Sequence, residues 1–216
     1  MTADQHISIM LVDDHAMIRA GYRSLLKKQD RLEVIAEAAD GAQAYQHFKA
    51  YKPDLVIMDL SLPGQGGLEI ISRIKQRCPA AKILVFTMHQ TAIFALQALR
   101  AGALGYVTKS SSPDVLLEAI YEVYAGRPIL SPDIAQALAL EKSGHEWLAL
   151  ESLTAREFEI LRMLAESRSK EAIALTLNIS PKTVSNSHYL IKRKLNVSSD
   201  IELPHLAIRM NVINFF

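Results

Sequence analysis

Five short, almost uninterrupted apolar runs punctuate the first half of the chain, at residues 7–12, 32–36, 55–58, 83–86 and 103–107. A strand that alternates apolar and polar residues can leave one face wet, but a strand apolar throughout must be covered on both faces. The covers are also in the sequence. Met17, Ile18, Tyr22, Leu25 and Leu26 recur at helical spacing after the first run, and Leu68, Ile70, Ile71 and Ile74 do so after the third. Buried strands alternating with amphipathic helices point to a parallel sheet between two helical layers. Ser112-Pro113-Asp114 opens a last helix, with Ser112 able to cap it and Pro113 suited to its first position. That helix stops at Gly126-Arg127-Pro128. The expected first domain, residues 1–127, is α/β and doubly wound, with five strands.

From 128 to 149 the pattern weakens and the chain reads as a linker. Ser131-Pro132-Asp133 opens a short helix and Lys142-Ser143-Gly144 closes it. Trp147 and Leu148 either tack this linker onto a neighbouring domain or simply pack. Residues 150–216 carry no strand signal. Thr154 opens a helix bearing Phe158, Ile160, Leu161 and Leu164; Ser169 opens a short one bearing Ile173, Ala174 and Leu177. After a tight connection at Asn178-Ile179, Ser180-Pro181 opens a longer polar helix, and a fourth follows from about Ser199. Short helix, tight turn, longer polar helix is the pattern of a helix-turn-helix.

Bulk properties narrow the function. The net charge is +1, which gives no strong field toward nucleic acid or membrane. The one cysteine, Cys78, excludes an intrachain disulfide and a cysteine-based metal cluster. Met1-Thr2-Ala3-Asp4-Gln5-His6 lacks the pattern of a signal peptide, and no apolar run reaches the length of a membrane span. A cytoplasmic protein is expected.

In an open doubly wound sheet, function sits beyond the carboxyl ends of the strands, where the strand order reverses. In a flavodoxin-like order that crevice lies between strands one and three. Strand one runs into Asp13-Asp14, strand three into Asp59, strand four into Thr87, and strand five into Thr108-Lys109. Asp13 or Asp14 alone could be a helix cap. Three crowded carboxylates, however, need a counter-charge. Mg²⁺ suits a small all-oxygen site, and Lys109 and Thr87 add a point charge and a hydroxyl. Together these groups describe a cradle for a phosphoryl group, with the Asp59 carboxylate as nucleophile. Gly64, Gly66 and Gly67 lack the Gly-Lys-Ser/Thr ending of a phosphate-binding loop. The phosphate is therefore expected from another protein or a small phosphodonor. His15 and His89 read as loop residues, with no spacing typical of a transition-metal site.

These residues carry a resemblance. "LVDDH", "VIMDLSLPG", "VFTM" and "GYVTKS" resemble the receiver domain of a bacterial two-component response regulator, and "LTAREFEILRMLA" with "ISPKTVSNSHYLIKRKLNV" resembles a LuxR-type helix-turn-helix. The combination resembles the NarL/FixJ family over nearly the whole chain. The resemblance implies a CheY-like receiver with Asp59 as phosphoacceptor, Mg²⁺ on Asp13, Asp14 and Asp59, and Thr87 and Lys109 on the phosphoryl group. It implies that Tyr106 swings inward on activation. It also implies a sensor histidine kinase as donor, double-stranded promoter DNA and RNA polymerase as partners, and homodimerisation on phosphorylation.

In the second domain, Ser180, Lys182 and Thr183 stand at the N-terminus of the expected recognition helix, where free backbone N–H groups suit a DNA phosphate. Ser185, Asn186, Tyr189 and Lys192 fall on one helical side, with Arg193 beside them, while Val184, Ile191 and Leu195 face the core. Asparagine can pair with adenine, and lysine with guanine or phosphate. Lys192-Arg193-Lys194 also suits a solvated helix end. The family's frequent lysine is replaced by Ser185 and a usual glutamate by Ala172; His188 comes one place late, and Ser167 replaces a frequent glycine. Residues 150–216 hold 9 Lys+Arg against 7 Asp+Glu, a balance of +2. One such domain should bind DNA weakly, so pairing of two is expected to matter. Leu206, Ile208 and Val212 suit either a dimer seam or the domain's own core. Two rival functions remain: a Mg²⁺-dependent phosphohydrolase with an aspartyl nucleophile, where Ser61 stands in place of a second acid/base carboxylate, and a DNA binder without a phosphorylation switch.

Overall fold

The computed structural model describes residues 6–140 and 145–213, with side chains from 147 onward in the second stretch. Residues 1–5 and the Lys142-Ser143-Gly144 helix stop lie outside the described residues. The first domain alternates β1 (Ile7–Val12), α1 (Ala16–Lys27), β2 (Leu32–Ala38), α2 (Gly41–Tyr51), β3 (Leu55–Met58), α3 (Gly67–Arg77), β4 (Ile83–Thr87), α4 (Ala92–Ala101), β5 (Gly105–Thr108) and α5 (Pro113–Tyr124). The strands pair in parallel in the order β2-β1-β3-β4-β5, so the winding reverses at β1, as a doubly wound sheet requires.

The sheet has six strands rather than five. A two-residue strand, β6 (Ile129–Leu130), pairs with β5 inside the stretch read as linker. Ser131 N–H donates to Tyr106 C=O and Ile129 N–H to Leu104 C=O. The short strand thus covers the exposed edge of β5, and two residues are too few to show a period in sequence.

The pleat sorts side chains into two layers. Ile7, Ile9, Leu11, Leu55, Ile57, Leu84, Phe86 and Val107 pack against α1 and α5, while Met10, Val12, Val56, Met58, Ile83, Val85 and Tyr106 pack against α2, α3 and α4. Asp40 caps α2, accepting from Gln43 N–H at 2.8 Å. Ser112 stands at the start of α5, but its hydroxyl makes no cap bond; Pro113 alone pre-organises that helix.

The second layer of core does not stop at the receiver side. It continues through α6 (Pro132–Leu140), α7 (His145–Glu151), α8 (Ala155–Ala165), α9 (Lys170–Leu177), α10 (Pro181–Leu195) and α11 (Glu202–Arg209) as one apolar cluster. Phe94 of α4 meets Phe158 of α8 edge-on, centroids 5.2 Å apart. Gln97, buried, donates to Leu150 C=O at 2.8 Å, Arg156 pairs with Glu69 at 2.5 Å, and Thr91 donates to Asn211 C=O at 3.3 Å. Trp147 is buried and ties the linker in, whereas Leu148 points to solvent. Leu206 and Val212 are buried within the chain, so neither offers a free dimer seam; Ile208 is half-buried. Among the described residues no helix is long and apolar enough to cross a membrane.

Candidate functional site

Register explains why the polar strand ends meet. Val12 of β1 lies opposite Met58 of β3, so the next residues, Asp13 and Asp59, emerge side by side at the rim. Asp59 N–H donates to Val12 C=O and Asp13 N–H to Ala38 C=O, which carries strand bonding one residue past the apolar run. Likewise Thr87 lies opposite Thr108, and Lys109 N–H donates to Thr87 C=O at 2.7 Å. The Lys109 ammonium is thereby aimed back across the rim. Its Nζ lies 2.6 Å from Oδ2 of Asp13 and 2.6 Å from Oδ2 of Asp59, with all three side chains nearly inaccessible to water. Burial opposes the lysine charge, but hydrogen bonds to both carboxylates outweigh it and lift the Lys109 pKa above its ordinary value.

The third carboxylate is different. Asp14 turns outward, where it meets His15 Nδ1 at 2.7 Å. The residue at the N-cap of α1 is His15, so neither aspartate caps that helix; Asp13 Oδ1 instead accepts from His15 N–H at 2.9 Å. Thr87 is fully buried at the end of β4. Gly67 holds the rim together from below, because a Cβ there would lie 2.2 Å from Asp59 C=O and 2.7 Å from Leu60 Cα. No other residue lets α3 approach the Asp59 backbone this closely.

Three carboxylates against one ammonium leave a surplus of negative charge, and their donors are all hard oxygens. This chemistry fits Mg²⁺. Ligand atoms of Asp13, Asp14 and His15 lie within 4.8 Å of one another, and Asp59 joins Asp13 through Lys109.

Tyr106 already lies inside. Its ring is fully buried and its hydroxyl donates to His89 C=O at 2.9 Å, so the inward position has a satisfied phenol without any change at Asp59. Burial, then the charges of Asp59 and Asp133, raise its pKa. His89 stacks on Phe94 with centroids 3.9 Å apart, and its Nε2 lies 3.2 Å from Ser61 Oγ. Burial, then the nearby Arg162, lower its pKa to about 4. The ring is therefore neutral, and it sits between the rim and the second domain.

In that second domain Thr154 and Glu157 form a reciprocal capping box at α8. Ser169 caps α9, Asn178 turns the chain at φ 53°, and Ser180 caps α10. Val184, Ile191 and Leu195 are buried, as the spacing predicts. Ser180 Oγ accepts from Thr183 N–H at 3.1 Å and lies 2.9 Å from Thr183 Oγ1. Lys182 and Asn186 are exposed. Ser185, Tyr189, Lys192 and Arg193 share one cleft, with the Arg193 guanidinium 5.8 Å from the Tyr189 ring centre. Lys192 is not free: it binds Asp200 at 2.8 Å.

Two family models match this chain. The response regulator receiver domain covers residues 9–121, and the luxR family of bacterial regulatory proteins covers 151–207. The chain belongs to the response regulators with a LuxR-type DNA-binding domain. Response regulator UvrY of Escherichia coli O6:H1 is 38% identical over 210 residues, covering 96% of each chain. The transcriptional activator protein ExaE of Pseudomonas putida is 41% identical over 210 residues, covering 96% of this regulator and 98% of that one. Among solved structures, RcsB of Salmonella enterica serovar Typhimurium bound to promoter rprA in the presence of phosphomimetic BeF3⁻ has a TM-score of 0.70 at 27% identity, covering 94% of this chain and 98% of that one. This regulator is thus a phosphorylation-regulated DNA-binding transcription factor, in line with relatives that are named as regulators rather than enzymes.

Sequence reasoning missed several of this regulator's contacts. The bond from Thr108 Oγ1 to Asp133, at 2.7 Å, and the Ser61–His89 contact join residues far apart in the chain. His188, which in sequence shows only as one place late, is buried and faces Asp200 at 3.4 Å.

Proposed function

We propose that Asp59 is the phosphoacceptor of this regulator and that its phosphorylation controls DNA binding through α10. The observation that carries this reading is the Lys109 ammonium shared between Asp13 and Asp59 at the sheet's reversal point. An Asp59 oxygen attacks the phosphorus of a phosphohistidine on a sensor kinase. The new P–O bond gives an acyl phosphate, the P–N bond breaks, and the kinase imidazole leaves with its electron pair and takes up a proton. Lys109 then meets the phosphoryl oxygens, and the Thr87 hydroxyl donates to one of them. Asp13, Asp14 and Asp59 would hold Mg²⁺, which when bound offsets charge on the transferring group.

The loops at this rim also touch the second domain. A Cβ at Gly66 would lie 2.4 Å from Glu159, and Thr91 bonds Asn211. Charge added at Asp59 therefore acts on the interdomain contact through the neighbouring rim loops. Release favours pairing of two second domains on promoter half-sites, with RNA polymerase as the further partner in the cytoplasm. Incubation with acetyl phosphate and Mg²⁺ should add one phosphoryl group, read by intact-mass spectrometry. Asp59→Asn should remove it, since an amide is not a nucleophile; undiminished labelling would overturn the assignment.

A further inference from the structure

The α10 cleft carries a charge that DNA binding does not call for. At least five of the nine basic side chains in residues 150–216 are already paired within the chain: Arg156, Arg162, Arg168, Lys192 and Lys194. Four of these pairs lie at the domain contact or along α8. The fifth lies on the reading side of α10, where Asp200 holds Lys192 at 2.8 Å and faces His188 at 3.4 Å. Lys170 borders the same cleft.

Asp200 is not there by accident of a loose loop. Ser199 Oγ donates to Glu202 Oε1 at 3.0 Å and accepts from Glu202 N–H at 3.3 Å, while Ser198 N–H donates to Glu202 Oε2 at 3.0 Å. These reciprocal bonds fix the turn into α11 without using the Asp200 side chain, which is left aimed at α10. That side chain is 70% exposed, so its ion pair is a weak one that a phosphate can exchange.

We propose that Asp200 is an intramolecular stand-in for a DNA phosphate, a built-in competitor that lowers sequence-independent binding by holding Lys192. This rests on the reading of α10 as the DNA-contacting helix. The ion balance gives its signature. A lysine that neutralises a DNA phosphate ordinarily releases one counterion. Here Lys192 must first leave Asp200, whose freed carboxylate recruits a cation of its own, so the net release at this contact is close to zero. Asp200→Asn removes the competitor and restores the release.

The test is a salt series on the full-length protein, with a specific promoter duplex and a random duplex. Asp200→Asn should tighten both alike at low salt, because phosphate contacts carry no sequence. It should also steepen the salt slope by about 0.9, a further loss of about 3.5-fold on raising salt fourfold. Asp200→Glu, which keeps the charge, should keep the wild-type slope. In a Lys192→Gln background, Asp200→Asn should leave the slope where it was. An unchanged slope in Asp200→Asn overturns the inference. So does a loss confined to the specific duplex, which would make Asp200 a reader of cytosine. If Lys192→Gln, Lys182→Ala and Asn186→Ala all left both duplexes unaffected, the reading of α10 itself would fall, and the inference with it.

Discussion

Replacing Lys109 by methionine isolates what the shared ammonium does. Methionine keeps much of the stem volume and removes only the charge, so packing is nearly conserved. What remains is a pair of buried carboxylates whose Oδ2 atoms were each 2.6 Å from the lost nitrogen. Two like charges about 5 Å apart repel by about 3 kcal/mol at an effective dielectric near 20. Breaking a buried pair by deleting one partner ordinarily costs about 3–5 kcal/mol, so the two estimates agree. Lys109→Met should therefore lower unfolding stability by about 3 kcal/mol in urea, followed by circular dichroism near neutral pH without divalent cations. Adding Asp13→Asn removes one of the repelling charges, and the double variant should recover most of the loss. If the double variant were as unstable as the sum of the two single changes, the carboxylates would not be coupled through Lys109, and the account of the rim would fail.

Three further outcomes follow from the geometry. Gly67→Ala places a Cβ against the Asp59 backbone at 2.2 Å, so it should cost about 1–3 kcal/mol and slow labelling by acetyl phosphate; wild-type labelling at wild-type stability would show that α3 can retreat freely. Lys182→Ala should weaken binding to specific and random duplexes alike and lower the salt slope by ~1, while Asn186→Ala should cost about 1–3 kcal/mol on the specific duplex alone; equal losses on both duplexes for Asn186→Ala would place that side chain on the backbone instead.

The receiver layer was legible because its strands are nearly continuous apolar runs, unbroken at 55–58, a pattern that a doubly covered sheet explains. Its polar strand ends were legible for the same reason: Asp13, Asp59 and Thr87 each follow directly on an apolar run, and Lys109 follows one residue later, after Thr108. What stayed hidden depends on contacts between distant segments. Phe94 and Phe158 look like ordinary core positions of separate helices, and nothing in their spacing says that they face each other. Tyr106 shows no sign in sequence of the acceptor at His89 that keeps it inside. Lys192 lines the α10 cleft, yet only the fold of the turn before α11 reveals the carboxylate that holds it.

The apolar cluster that runs from α4 into α8 makes separation of the two domains a wetting event. Parting Phe94 from Phe158 brings two aromatic rings toward water, at about 1.5–3 kcal/mol for each ring fully uncovered. The liberated form is thus the stickier form of the molecule. Its persistence depends on how soon those rings are dried again, whether by reclosing or by a surface of a second copy, and crowding of copies on one promoter would supply the latter.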